Sequence, residues 1–284
     1  MSRSVRSECA PGNAVRLRGL GVCVAALALL LPLTADAQTP ADNSSTQSAT
    51  AAPPPDFMLG RPRVMLGVRG GLFVASANSD FFEDMTQFLT LEKSSFRTGT
   101  FSTELAVSVT PYLDIVGGLD GNRLSRLSED REMEELLSNG TRVPIQQTTE
   151  LSEMNFTASA KLSLLSRGTR VSRLAWIPRT VIPYIGAGGG YGRYNLRQNG
   201  DFADQGNPNV RGDESVFSDT FRSRGWSPVF HAFGGTDVQL YRRLVLSVEG
   251  RYTWKKADLS ADYVGYEPID LGGFRIGAGI HLSF

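Results

Sequence analysis

The chain contains two histidines, and they are the first residues to consider for catalysis. His281 and Ser283 lie two positions apart, so an extended strand places them on one face, as a base and a nucleophile require. No acidic residue follows them to orient the imidazole. His231 is predicted near the outer end of an earlier strand, within reach of acidic loops. Because neither arrangement is complete, both histidines are interpreted as polar strand residues, and the chain is predicted not to be an enzyme.

Two acidic segments are candidates for binding cations. Residues 129–135 read EDREMEE, and further acids are spread over residues 198–225. Neither segment has the ligand spacing of a calcium loop, and the glycine-rich stretch 186–190 lacks the helix that a phosphate-binding loop requires. The cysteines, Cys9 and Cys23, lie at the N-terminus and leave no thiolate zinc site in the rest of the chain. The sequence therefore predicts no metal site and no cofactor.

Residues 1–37 have the pattern of a cleaved secretory signal peptide. Arginines precede the apolar run 20–33, and the small residues Ala35 and Ala37 allow cleavage after Ala37. The apolar run is shorter than the ~20 residues that a membrane-spanning helix needs. Residues 38–59 are rich in Pro, Ala, Ser and Thr and are predicted to form a disordered periplasmic tether.

From residue 60 to residue 284, apolar and polar residues alternate with a period of two, the pattern of β-strands with two different faces. In the last segment, Phe274, Ile276 and Ile280 share one face, and Arg275 and His281 share the other. Eight such segments begin near residues 63, 101, 113, 154, 181, 230, 244 and 274. Their lengths are enough for a tilted strand to cross the hydrocarbon of a membrane, which takes about 9–11 residues.

The connections between these segments alternate in length. Long loops are predicted at 77–96, 124–146, 198–225 and 257–269, with shorter turns between them. Short periplasmic turns and long extracellular loops are typical of transmembrane barrels. The sequence therefore predicts an all-β fold over residues 60–284, a closed up-and-down antiparallel transmembrane β-barrel of eight strands.

Charged residues in the polar phase of the strands favour a membrane barrel over a soluble one, whose inner face would be apolar. They are predicted to pair with one another and to plug the narrow lumen that eight strands enclose. The predicted lumen network comprises Arg69, Glu104, Lys161, Asp237, Glu249, Arg251 and Arg275.

Aromatic residues near the strand ends are predicted to form girdles at the two membrane interfaces. The periplasmic girdle comprises Tyr112, Trp176, Tyr184 and Tyr241, and the outer girdle comprises Trp226 and Trp254.

The terminal strand FRIGAGIHLSF, which ends in Phe284, resembles that of the small eight-stranded outer-membrane barrels of Gram-negative bacteria, the OmpA-like and OmpX-like family. The segments RVMLGVRGGLFVAS, VIPYIGAGGGYGRY and LVLSVEGRYTW resemble the recurring strands of that family, so the resemblance covers about residues 60–284. It implies an outer-membrane location and makes Phe284 part of an assembly signal read by the barrel-assembly machinery. It also implies contact with outer-membrane lipid and lipopolysaccharide.

The first long loop contains a candidate helix, which Ser79 or Asp80 would cap. Phe81, Phe82 and Met85 would form its apolar side. Such a helix can plug the barrel mouth, lie on the outer leaflet or meet a partner, and packing against the other loops is favoured.

These patterns predict a structural or interaction protein of the outer membrane, with a plugged lumen and an extracellular ligand held by its loops. A narrow porin-like pore for small solutes is one alternative. The other alternative is an enzyme that modifies lipid A, because some members of the family that this chain resembles act on that substrate with a histidine, a serine and an acid. A formal net charge of 0 argues against a nucleic-acid partner.

Overall fold

The computed structural model describes residues 58–136, 140–172, 175–203 and 216–284. The predicted signal peptide, 1–37, lies outside the described residues, and so does the predicted tether apart from Met58 and Leu59. Among the helices in the described part of the chain, none has the length and apolar character needed to cross a membrane.

Eight long antiparallel strands form a closed wall. They are β1 Val64–Ala75, β2 Arg97–Ser108, β3 Leu113–Leu136, β4 Arg142–Ser163, β5 Val181–Ala203, β6 Val216–Tyr241, β7 Leu244–Ala257 and β8 Gly273–Ser283. Each strand pairs with the next along the chain, and β8 closes the ring by pairing with β1, where Ile276 lies opposite Leu72. The predicted all-β, eight-stranded, up-and-down barrel is confirmed.

The two faces of the wall differ sharply in polarity. Outward-facing side chains are apolar and exposed, as at Leu72 and Phe230, each 61% exposed. Inward-facing side chains are largely polar and buried, as at Glu249 and Lys161. An exposed apolar belt around a polar interior is the arrangement of a barrel surrounded by lipid. The protein is therefore a transmembrane β-barrel of the outer-membrane type.

The two central hairpins extend far beyond the strands expected from the sequence. β3 and β4 pair as far as Leu136 and Arg142, and β5 and β6 pair as far as Ala203 and Val216. The prediction of long loops at 124–146 and 198–225 is therefore wrong over most of the described length of those segments. Backbone hydrogen bonds hold these extensions together. Such pairing does not need apolar residues where both faces of the strands meet polar surroundings, so the sequence there shows no alternation of apolar and polar residues.

Shorter elements occupy the two ends of the barrel. At the end with the long connections, which is extracellular in such barrels, lie α1 Asp80–Phe88 and two 3₁₀ helices, Lys93–Phe96 and Ala261–Tyr263. At the periplasmic end, Met58–Leu59, Ala175–Pro178 and Gly168–Arg170 form a small antiparallel sheet. The last two residues of the predicted tether are therefore strand residues, paired with Trp176 and Ala175.

Candidate functional site: the lumen and the extracellular mouth

A cluster centred on Arg69 lies in the middle of the lumen. The Arg69 guanidinium forms an ion pair with Glu104, and its Nη1 lies 3.0 Å from Glu249 Oε1. Arg251 Nη2 lies 2.9 Å from the same Glu249 oxygen. The Tyr184 hydroxyl donates a hydrogen bond to the other carboxylate oxygen of Glu249 at 3.1 Å. Glu249 therefore joins two guanidinium groups and a phenol at a site where each partner is at most 8% exposed.

A second cluster lies closer to the extracellular end. Arg275 Nη2 lies 2.8 Å from Asp120 Oδ2, and Asn155 Nδ2 donates to the same oxygen at 2.9 Å. Lys255 Nζ donates to Asn155 Oδ1 at 2.9 Å and pairs with Glu153 Oε2 at 2.7 Å. Sequence reasoning identified Arg275 alone of these five residues. Glu153 lies one residue before the predicted start of its strand near residue 154, and the predicted lumen network does not include Asp120, Asn155 or Lys255.

A third cluster closes the periplasmic end of the lumen. Lys161 Nζ lies 2.6 Å from Asp237 Oδ2 and 3.7 Å from the centre of the Tyr184 ring. Arg167, from the turn after β4, forms an ion pair with the fully buried Asp114. The structure thus places all seven predicted lumen residues inside the barrel, distributed over three clusters, and adds partners that the alternation pattern did not single out.

Alternate glycines of β5, such as Gly186 and Gly192, face the lumen. A Cβ atom on Gly186 would lie 2.3 Å from the ring of Phe233, and one on Gly192 would lie 2.0 Å from Asn155 Oδ1. The missing side chains leave room for the Phe233 ring, which lies 4.9 Å from the Arg251 guanidinium carbon. Bulky lumen side chains therefore account for the glycines better than a phosphate site does.

Both histidines lie deep in the lumen. His231 Nε2 is 2.7 Å from Ser159 Oγ, in the middle of the barrel. The predicted position at the outer rim is wrong, because β6 begins at Val216, well beyond the expected start of that strand. His281 Nε2 lies 3.5 Å from Glu104 Oε2, whereas the Ser283 hydroxyl donates to the Arg243 carbonyl. His281 is thus oriented by an acid from another strand and is not hydrogen-bonded to Ser283.

Four of the predicted girdle aromatics point outward and are exposed: Tyr112, Trp226, Tyr241 and Trp254. Tyr184 and Trp176 do not belong to the girdle. Tyr184 is 1% exposed because it occupies the inward phase of β5. Trp176 is buried in the small periplasmic sheet, where its ring lies close against Gly168. Phe284 is exposed at the end of β8, with its backbone N–H bonded to the Val64 carbonyl.

An apolar plug fills the extracellular mouth above the polar clusters. Helix α1 contributes Phe81, Phe82 and Met85, each at most 3% exposed. They belong to one apolar cluster with wall residues such as Leu124 and Leu196. The helix lies inside the barrel mouth, which is one of the three positions that the sequence allowed. It also packs against the last loop, as the sequence favoured.

Beside the plug, a cleft of about 330 Å³ opens at the extracellular end. Its aromatic lining residues are Phe81, Phe88, Phe202, Phe221, Tyr263 and Tyr266. Its acidic lining residues are Asp84, Asp130, Glu132 and Asp262. Burial and, to a smaller extent, the hydrogen bond to Asp84 raise the pKa of Tyr266 to about 12, so this phenol stays neutral at physiological pH. Within the described residues, no group of histidine, cysteine and acidic side chains is arranged to hold a metal ion.

Comparisons with known proteins give matches at the level of fold. No protein-family model matches this chain, and no curated protein has a significantly similar sequence. The outer membrane protein OprG from Pseudomonas aeruginosa is 11% identical with a TM-score of 0.41, and the match covers 79% of this chain and 99% of OprG. Neisserial surface protein A is 11% identical with a TM-score of 0.40, covering 78% and 96% of the two chains. The attachment invasion locus protein Ail of Yersinia pestis is 13% identical with a TM-score of 0.38, covering 79% and 100%.

Proposed function

We propose that this protein is a sealed outer-membrane anchor that presents an interaction surface at its extracellular end. Its belt contacts outer-membrane lipid and lipopolysaccharide, and its terminal strand with Phe284 is recognised by the barrel-assembly machinery. The observation that carries the proposal is that ion pairs cross the lumen between strands that are not neighbours in the wall.

The crossing pairs connect opposite sides of the barrel. Arg275 on β8 reaches Asp120 on β3, past two intervening strands. Lys255 on β7 reaches Glu153 on β4, also past two strands. Charged groups that have left water are stable only while their partners stay in place, so separating them to open a channel is costly. The lumen is therefore held closed by its own electrostatics.

The apolar plug adds a second barrier above these pairs. Phe82 packs edge-to-face on Phe96 with ring centres 4.8 Å apart, and Phe81 packs in the same way on Tyr263 at 5.7 Å. Water and ions entering from outside would have to displace this cluster before they reached the charged residues. Two barriers of different chemistry support an anchor over a pore.

Planar-bilayer recording of the purified protein tests the proposal. We expect no steady conductance from protein whose folding has been checked by a heat-dependent gel shift, because the lumen is closed at both levels. A matched recording of a known porin in the same bilayer controls for insertion. Stable, ion-selective openings of the unaltered protein would contradict the anchor and support the pore.

A further inference from the structure

We infer that the extracellular cleft is a binding site for a small organic cation, an ammonium or guanidinium group carried on an apolar body of about the size of one aromatic ring. The inference rests on the proposed function in one respect, that this end of the barrel faces outward. The cleft is defined by its described lining residues, which come from α1, the two long hairpins and the last loop.

The charged residues described in the lining of the cleft are all acidic. None of its described lining residues is basic, whereas Asp84, Asp130, Glu132 and Asp262 are acidic. None of these four carboxylates takes part in an ion pair with another described residue, although the lumen acids Glu104, Asp120, Glu153, Asp237 and Glu249 all do. Unpaired carboxylates around a concave surface concentrate negative potential there and attract cations.

Two of these carboxylates are already held in place. Asp130 Oδ1 accepts hydrogen bonds from the backbone N–H groups of Glu132 and Met133 at 2.9 and 3.0 Å. Asp262 Oδ2 accepts one from the backbone N–H of Arg222 at 3.0 Å. Since these bonds fix the side chains before any ligand arrives, less conformational freedom is lost on binding.

The walls between the acids suit a cation that carries an apolar body. Aromatic faces attract ammonium and guanidinium groups and also bury apolar surface. The volume of about 330 Å³ lies at the small end of the range for ligand pockets, which is about 300–1,000 Å³. A hydrated divalent ion would leave the rings without a role, and the described acids are not arranged as metal ligands.

Tyr263 forms part of the aromatic wall of the cleft. Its side chain is 6% exposed, and its hydroxyl is buried and has no hydrogen-bond partner among the described residues. A buried hydroxyl without a partner is unfavourable, and most such groups in folded proteins are satisfied. Removing this hydroxyl should therefore not lower thermal stability, and Tyr263 contributes to the cleft through its aromatic ring.

Isothermal titration of the purified protein in nonionic detergent tests the inference with two probes of equal size. We expect 2-phenylethylammonium to bind roughly tenfold more tightly than neutral 2-phenylethanol, because only the former has a charge for the carboxylates and rings. Raising the ionic strength from about 0.01 M to 0.15 M should weaken the binding of the cation but not that of the alcohol. Equal binding of both probes would show an apolar groove only and would overturn the inference.

Two variants and two controls locate the site. Asp84→Asn and Asp262→Asn keep their hydrogen-bond acceptors and should each weaken cation binding roughly threefold to fivefold. Glu83→Gln is the matched control, since it removes one charge from the same helix at an exposed position outside the lining, and it should leave affinity unchanged. Tyr263→Phe is a second control and should leave both binding and thermal stability unchanged, because the ring remains and the lost hydroxyl is buried without a partner among the described residues. Equal effects of Glu83→Gln and Asp84→Asn would overturn the site.

The outcome for the cleft can be separated from the outcome for the barrel. A silent barrel that binds neither probe would overturn this inference and leave the sealed anchor intact. A conducting barrel that still binds the cation through Asp84 and Asp262 would overturn the sealed anchor and leave the site intact.

Discussion

Replacing Glu249 by Gln lowers the free energy of unfolding by about 3–5 kcal/mol, the range for removing one partner from a buried ion pair. Glu249 is 4% exposed, and its carboxylate lies 3.0 Å from Arg69 and 2.9 Å from Arg251. The variant keeps the shape of the side chain but leaves two buried guanidinium groups with the carboxylate of Glu104 as their remaining acidic partner within reach. The loss therefore measures uncompensated positive charge and not a cavity.

Urea unfolding of the protein in lipid vesicles, followed by the heat-dependent gel shift, provides the measurement. Glu150→Gln is the matched control, since it removes the same charge from a surface pair whose Arg123 side chain is 74% exposed and 3.8 Å away. Exposed pairs of this kind are worth about 0–1 kcal/mol. If the two variants lost similar stability, the lumen pairs would not hold the barrel closed, and the proposal of a sealed anchor would lose its main support.

Replacing Phe82 by Ala produces the second large effect, confined to the extracellular mouth. Phe82 is 2% exposed and contacts both Phe96 and Phe81. Truncation removes a buried ring and leaves a cavity, which should destabilise the plug by about 3–5 kcal/mol. The plug is held mainly by such contacts, so its local opening is favoured before the strands separate. We expect the loop containing α1 to become sensitive to proteases while the barrel remains heat-modifiable.

Limited proteolysis with mass spectrometry of the fragments locates the cut, and bilayer recording of the same variant tests the lower barrier. Phe88→Ala is the control, because Phe88 belongs to the same helix but is 42% exposed, and its removal should leave the loop resistant. The recordings should stay silent, since Arg275 and Lys255 keep their partners below the plug. Steady conductance of Phe82→Ala would show that the plug alone closes the lumen.

Strand existence and strand faces follow closely from the sequence, because inside a membrane each side chain meets either lipid or lumen. Phe274, Ile276 and Ile280 point outward and Arg275 points inward, as the period of two predicts. The same reasoning fails at Tyr184, where an aromatic ring near a strand end suggested the interface. Its phase decided otherwise, and the flanking glycines that face the lumen obscured that phase.

The ends of the strands are harder to predict from the sequence, because apolar alternation indicates contact with lipid and not backbone pairing. β3 to β6 continue as paired hairpins after their outward faces leave the hydrocarbon, and no residue pattern marks that continuation. This is why Glu153, just before the predicted start of its strand, is absent from the predicted lumen network and why the prediction for His231 at the rim is wrong.

The sequence by itself determined that the strands between Val64 and Ser283 form a membrane barrel with a charged interior, since alternation is a local property that lipid imposes on every strand separately. Only the tertiary structure decided which charges meet. Arg275 and Asp120, or Lys255 and Glu153, are joined across the lumen by strand order and register, which bring together residues 155 and 102 positions apart in the chain. The cleft likewise exists only because α1, two hairpins and the last loop converge there, and no single segment carries its pattern of unpaired acids and aromatic rings.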